Sequence, residues 1–321
     1  MLAPLRHPYF MSAASLARMV SPSCIVKQFR DYAELIKLRV TTLIVTTAWC
    51  GYFFAARHAG VSPLSWGLFQ ALSGIALVSS GTAALNQAME CDIDRRMRRT
   101  SSRPLPAGRM SMLHACAVGL LLTLGGSAYL WFFTNPLTGI LTFLTSAVYL
   151  AAYTPLKQVS PLCTLVGALP GAMPGVLGWT AVRGQFTLGT LVLFAILFFW
   201  QFPHFFSIAW LYREDYAAGG VQMLPVVEPD GRSTARQVLI YSLLLIPISL
   251  LPSLMGMAGP TYFVAAGALG LGFLFYSSRL ACCGLPATSA ASKIRARHLL
   301  RASVIYLPLL FGFMMASSRR S

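Results

Sequence analysis

Asn86, Glu90 and Asp94 stand four residues apart at the end of a long apolar run. That spacing stacks side chains on one face of a helix. The two carboxylates in such a row repel each other and are poorly solvated near a bilayer edge, and a cation that gathers them removes both problems. Hard oxygen donors in modest number suit Mg²⁺, with Mn²⁺ as a possible substitute. Mg²⁺ keeps several waters and takes its remaining ligands from phosphates. Arg95, Arg96, Arg98, Arg99 and Arg103 follow at once, and arginine holds phosphate oxygens bidentately. A charged loop that fixes topology would explain the arginines, but not the in-register Asn, Glu and Asp. Asp92 lies ~200° round the helix from both Glu90 and Asp94. It reads as a salt-bridge partner of the arginines rather than a ligand.

A second acid, Asp215, closes another long apolar run that also carries His204. The two are eleven residues apart, three turns plus ~20° on a continuous helix, so they share a face if the helix continues. Pro203 would bend that face. A lone histidine inside a membrane is expensive and marks function; the alternative is a hydrogen-bonded packing histidine.

The elements that must position these residues are membrane helices. The chain has 321 residues, 56% hydrophobic and only 11% charged. Apolar runs fall at about 40–56, 67–89, 112–132, 137–153, 161–180, 186–211, 237–255, 260–276 and 299–316, each near the ~20 residues that span a bilayer. Backbone polar groups must be satisfied inside lipid, so each run is expected to be a helix. The expected fold is all-α, a polytopic membrane protein with a bundle of about nine transmembrane helices. Residues 31–321 form one domain, preceded by a flexible basic segment over 1–30. Gly167, Gly171, Gly175 and Gly178 allow close helix approach. Thr100 to Gly108, ended by prolines, is expected as a loop, and so is the basic stretch from Ser277 to Arg301.

The formal net charge is +16, which in a soluble chain would suggest nucleic acid. With the N-terminus inside, however, every Lys and Arg except Arg57, Arg183, Arg319 and Arg320 falls on the inner side, as do all nine acidic residues. That is the positive-inside pattern; the charge orients the protein, and nucleic acid is not an expected partner. Seven cysteines with no CxxC pair give neither a disulfide nor a zinc site.

Two acidic helix ends far apart in one polytopic chain resemble the UbiA-type intramembrane prenyltransferase superfamily. Within it, an ordered set of segments resembles the haem O synthases, the protohaem IX farnesyltransferases. The set is Asn86-x3-Glu90-x3-Asp94 with Met97, Arg99, Thr100, Arg103 and Pro104; Tyr153-Thr-Pro-Leu-Lys157; Gly178-Trp179; Trp200-Gln-Phe-Pro-His204-Phe; and Asp215-Tyr-x2-Gly-Gly-x2-Met-Leu-Pro225. The resemblance covers roughly Asp31 to Ala316. It implies transfer of the farnesyl group of farnesyl diphosphate to a vinyl group of haem B, with Mg²⁺ held by Asn86, Glu90, Asp94 and Asp215 as the catalytic set. Arg39, Arg99, Arg103 and Lys157 would contact the diphosphate, with a membrane anchor as the alternative for Arg39 and Lys157. His204 would then be a neutral axial ligand that orients the porphyrin. Expected partners are these two substrates, the lipid bilayer, and other haem-biosynthesis or terminal oxidase assembly proteins.

The chain departs from that pattern at Leu38, where a proline is usual, at Cys163, where an Asn is usual, and at Leu211, where a carboxylate is common. The expected location is a bacterial inner membrane with the N-terminus in the cytoplasm. A transit peptide and a mitochondrial inner membrane are the alternative, because Arg6, Arg18, Lys27 and Arg30 precede the first acid. Two other functions share parts of the pattern. A prenyltransferase with a quinone or chlorin acceptor shares both acidic motifs, but not the Trp-Gln-x-Pro-His signature. A secondary transporter predicts an inverted repeat, which the sequence does not display.

Overall fold

The computed structural model describes residues 22–228 and 230–318; most of the basic segment over 1–30, with Arg6 and Arg18, and also Arg319 and Arg320, lie outside them. Nine helices among the described residues are long and apolar enough to cross a membrane. They are α2 (Leu38–His58), α3 (Trp66–Met89), α5 (Met112–Phe133), α6 (Pro136–Val148, continued through a π turn over Tyr149–Tyr153 to Leu156), α7 (Cys163–Arg183), α8 (Leu188–Leu211), α11 (Arg232–Leu254), α12 (Pro260–Ala281) and α13 (Ala290–Ala316). Four shorter helices join them: α1 (Pro22–Leu35), α4 (Cys91–Arg96), α9 (Arg213–Gly219) and α10 (Leu224–Val227).

Local sequence sets the helix ends. Ser65, Ser111, Asn135 and Ser289 each accept a hydrogen bond from the backbone N–H three residues on, satisfying a donor the helix leaves open. Pro136 and Pro260 sit in first turns, where no N–H is required. Two boundaries differ from the sequence expectation. α1 already begins at Pro22, inside the stretch expected to be flexible. α13 begins at Ala290, so part of the basic stretch expected as a loop is helical: Ser289 caps it, and its Ala, Lys and Arg residues are good helix formers.

The bundle closes through small residues and interhelical hydrogen bonds. α2 and α7 pack in backbone contact, and a side chain at Gly178 would collide with the carbonyl of Ala48. Elsewhere, Ser242 and Ser277 pair at 2.8 Å between α11 and α12, and Tyr262 donates to the Ser249 carbonyl at 2.6 Å. α13 packs on α8 and α12 but meets α2 only sparsely. Large apolar side chains such as Leu113, Phe132 and Leu254 point outward, as a lipid-facing surface requires. The chain is thus an all-helical, multi-pass membrane protein. Because the helices alternate in direction, α1, α4, α9, α10 and the turns over 97–111 and 157–162 gather at one end of the bundle.

Candidate active site

The first acidic row lies at that end. α3 stops at Met89, and Glu90 is a hinge at φ −97°, ψ 10° before α4. The break does not disturb the row, because Glu90 N donates to Asn86 O at 3.0 Å and Asp94 N to Glu90 O at 2.8 Å. Asn86, Glu90 and Asp94 therefore share one face, and all three are buried, Asp94 at 1% exposure. Asp92 points away and pairs with Arg95 at 2.8 Å in solvent.

Each member of the row bonds a cation. Arg103 Nη1 donates to Asp94 Oδ2 at 2.6 Å, Lys157 Nζ to Glu90 Oε1 at 2.6 Å, and Lys37 Nζ to Asn86 Oδ1 at 2.7 Å. Three separate elements deliver them. Arg103 comes from the turns after α4, where Thr100 Oγ1 donates to the Asp94 carbonyl and Arg109 ties the segment to Asp31 at 2.9 Å. Lys157 follows the π turn, a local widening of the helix common at functional sites, and its ammonium sits 4.4 Å from the Tyr153 ring centroid. Asn86 is oriented by donating to Thr154 Oγ1 at 3.0 Å.

Lys37 arrives by an unusual backbone. It stands between α1 and α2 in the left-handed region, φ 48° and ψ 52°, the one non-glycine with positive φ among the described residues. Gln87 holds the approach by donating to the Glu34 and Leu35 carbonyls at 2.7 and 2.8 Å, which satisfies open acceptors at the end of α1. A non-glycine in this region is sparsely populated and persists where its surroundings fix it. Burial, then the cations Arg103 and Lys157, lower the Lys37 pKa to about 8. Burial also opposes the charge on Lys157, but Tyr153, Tyr149 and Glu90 hold its ammonium well above the ordinary range.

The second motif folds onto the first. α9 packs against α4, with Gly219 against Ile93 and Met97. Arg99 lies over the rings of Tyr212 and Tyr216, 4.8 and 5.6 Å from their centroids, so it bridges the motifs. Gln222 N donates to the Lys157 carbonyl at 2.6 Å. Asp215, half-buried on α9, is bonded by no protein group among the described residues.

A family model described as the UbiA prenyltransferase family matches residues 43–316. The chain belongs to that family. It is 55% identical to a protein named "Protoheme IX farnesyltransferase" of Koribacter versatilis (strain Ellin345), covering 95% of this chain and 98% of the relative. It is 47% identical to one of the same name of Solibacter usitatus (strain Ellin6076), covering 89% and 98%. Among solved structures, one concerned with digeranylgeranylglyceryl phosphate synthase matches with a TM-score of 0.70 at 17% identity, covering 91% of this chain and 98% of that one. A UbiA homolog from Archaeoglobus fulgidus bound to GPP and Mg²⁺ matches with a TM-score of 0.59 at 16% identity, covering 88% and 99%. These likenesses show the fold, and the family makes the chain a prenyltransferase enzyme.

Against that background, the structure brings Asn86, Glu90, Asp94, Arg103 and Lys157 together, with Asp215 and Arg99 on the adjoining helix and turn. It does not bring in Arg39, whose side chain is exposed on α2; Lys37 enters the cluster in its place. The expected shared face of His204 and Asp215 is absent, because α8 ends at Leu211 and Tyr212, at φ −109° and ψ 26°, breaks the register before α9. Thr154, Gln87, Tyr212 and Tyr216 are further members that side-chain type did not single out. Asn86, Glu90 and Asp94 are hard oxygen donors on one buried face, the type a divalent cation takes, and each is bonded here by Lys37, Lys157 or Arg103. Among the described residues no three His, Cys, Asp or Glu side chains converge as a closed metal site.

Proposed function

We propose that this chain transfers the farnesyl group of farnesyl diphosphate to a vinyl group of haem B, with addition of water, to give haem O and diphosphate. The observation that carries this reading is the 55% identity over nearly the whole of both chains to a relative of that name. The acid–cation cluster at the membrane face supports it with matching chemistry.

Lys37, Lys157, Arg103 and Arg99 would hold the diphosphate, whose oxygens replace Asn86, Glu90, Asp94 and the Tyr216 hydroxyl as their partners. Asn86, Glu90, Asp94 and Asp215 would hold Mg²⁺, which when bound supplies a positive charge for the leaving diphosphate. Cations fixed in place before reaction stabilise that leaving group as the allylic C–O bond breaks and its electron pair departs. The vinyl π electrons then form the new C–C bond, and water adds beside the ring and releases a proton. Tyr149 and Tyr153, in the π turn ahead of Lys157 with ring centroids 5.0 Å apart, would line the space beside the reacting carbon and keep water from it. The bilayer takes the farnesyl tail, and the assigned location is a bacterial inner membrane with the N-terminus in the cytoplasm.

The test is incubation of purified protein with haem B, farnesyl diphosphate and Mg²⁺, followed by mass analysis of the haems. A haem heavier by one farnesyl group and one hydroxyl is expected. Unchanged haem together with prenylation of a quinone offered in parallel would reverse the assignment of the acceptor.

A further inference from the structure

Between α12 and α13 lies a groove of about 420 Å³ that the acid–cation cluster does not use. Ala265, Ala268 and Gly272 form one wall, on a single face of α12, and Ala302 and Ile305 form the other on α13. The floor is fixed. Phe273 and Tyr306 are both buried with ring centroids 5.1 Å apart, and the Tyr306 hydroxyl pairs with Ser249 Oγ at 2.8 Å. The wall stays open, since a Cβ at Gly272 would meet nothing within 4 Å. From Ala265 to Tyr276 the groove runs ~16 Å at 1.5 Å per residue. That is about half of the ~30 Å hydrocarbon core, the depth of one leaflet and the reach of one acyl chain.

One end of the groove is basic. Tyr276 and His298 close it with ring centroids 6.4 Å apart, an aromatic pair at headgroup depth. Arg279, three residues past Tyr276, continues the groove face of α12, and Arg295, seven before Ala302, continues that of α13. The two meet, because Arg295 Nη1 donates to the Arg279 carbonyl at 3.2 Å. Neither guanidinium forms an ion pair among the described residues, and from Gly231 to Ser321 the chain has no Asp or Glu. Orienting the protein requires arginines on this side of the membrane, but not on the line of the groove. Arg297, ~200° round α13 from Arg295, serves the first need and not the second. Nearby, Lys293 pairs with Glu214 of α9 at 2.8 Å, which places the basic end on the same side as the acid–cation cluster.

We propose that this groove binds an anionic phospholipid of the adjoining leaflet, with one acyl chain between α12 and α13 and the phosphate between Arg279 and Arg295. Two guanidiniums without carboxylate partners match a phosphate diester, whose oxygens arginine meets bidentately. Basic pockets between transmembrane helices take anionic headgroups in this way. A zwitterionic lipid offers the same chain, but its own cation cancels the charge that selects it. Held there, the lipid fastens the start of α13 and, through Lys293 and Glu214, the short helix that carries Asp215.

The experiment is native mass spectrometry of the full-length protein, stripped of lipid and titrated with phosphatidylglycerol or with phosphatidylcholine of the same chains. One phosphatidylglycerol is expected to bind the wild type more tightly than phosphatidylcholine does. Arg279→Gln together with Arg295→Gln should weaken it by about 25-fold, roughly 5-fold per arginine at an anionic headgroup. Arg279→Lys with Arg295→Lys should keep most of the affinity. Removing the same charge away from the groove, by Arg236→Gln with Arg297→Gln, should leave binding nearly unchanged. Gly272→Leu, whose Cβ meets no neighbour, should fill the groove and expel the chain, weakening binding with all arginines intact. Equal affinity for the two lipids, or equal weakening by the two Gln pairs, would reduce the site to general surface charge and overturn it. Equal weakening by the Lys and Gln pairs at Arg279 and Arg295 would overturn the role of charge. Unchanged binding in Gly272→Leu would remove the chain from the groove, and full displacement by inorganic phosphate would make the occupant a free anion rather than a lipid.

Discussion

Asp94 and Asp92 offer an internal comparison, because both pair with arginine at nearly the same distance in different surroundings. Asp94 is 1% exposed and bonds Arg103 at 2.6 Å; Asp92 is 79% exposed and bonds Arg95 at 2.8 Å. Asp94→Asn keeps the shape of the side chain and removes its charge, so packing around α4 changes little. What is lost is one carboxylate that would hold Mg²⁺ against the leaving diphosphate, worth ~2.7–4 kcal/mol by analogy with loss of one preorganised electrostatic group, or about 10²–10³ in rate. Arg103 is also left without its counter-ion. At 27% exposure it retains water, so the stability cost should fall below the ~3–5 kcal/mol of breaking a fully buried pair. Asp92→Asn breaks a solvated pair worth ~0–1 kcal/mol and should leave turnover within a few-fold of wild type. The assay is initial-rate haem farnesylation in membranes normalised for expression, with thermal unfolding of each variant in nanodiscs. An inactive Asp92→Asn beside a near-normal Asp94→Asn would refute the face assignment on which the catalytic set depends.

Lys37→Met should raise the KM for farnesyl diphosphate by roughly 10–100-fold, since hydrogen bonds to charged groups contribute ~1.5–3 kcal/mol, whereas Arg39→Ala should leave it nearly unchanged; equal effects in the two would remove Lys37 from the site. Chelation with EDTA should abolish turnover and added Mg²⁺ should restore it; full activity after rigorous chelation would reject the metal reading. Gly178→Leu should prevent α2 and α7 from meeting, read as loss of monodisperse protein on gel filtration in detergent; a normally folded variant would show that the contact with the Ala48 carbonyl is dispensable.

The transmembrane bundle was legible in the sequence because lipid forces every spanning segment to satisfy its own backbone, and about twenty apolar residues in a row leave few alternatives. The acid row was legible for a similarly local reason. Asn86, Glu90 and Asp94 keep their register through the break at Glu90 because the two i→i−4 hydrogen bonds survive it. The cations were harder to read. Arg39 and Lys37 stand two residues apart, and the choice between them depends on one left-handed residue and on two carbonyls held by Gln87 from another helix. No periodicity in the sequence carries that information. His204 and Asp215 would share a face only on a continuous helix, and the break at Tyr212, which the sequence does not announce, puts them on two helices. Ser303 was visible only as a small polar residue in an apolar run, and packing sets its hydroxyl 2.8 Å from His204 Nδ1, 99 residues away in the chain. A site built from oxygen donors on one helix can be read from spacing; a site completed by Lys37 after α1, Arg103 from the turns after α4 and Lys157 after the π turn becomes readable only when packing brings those elements to the same end of the bundle.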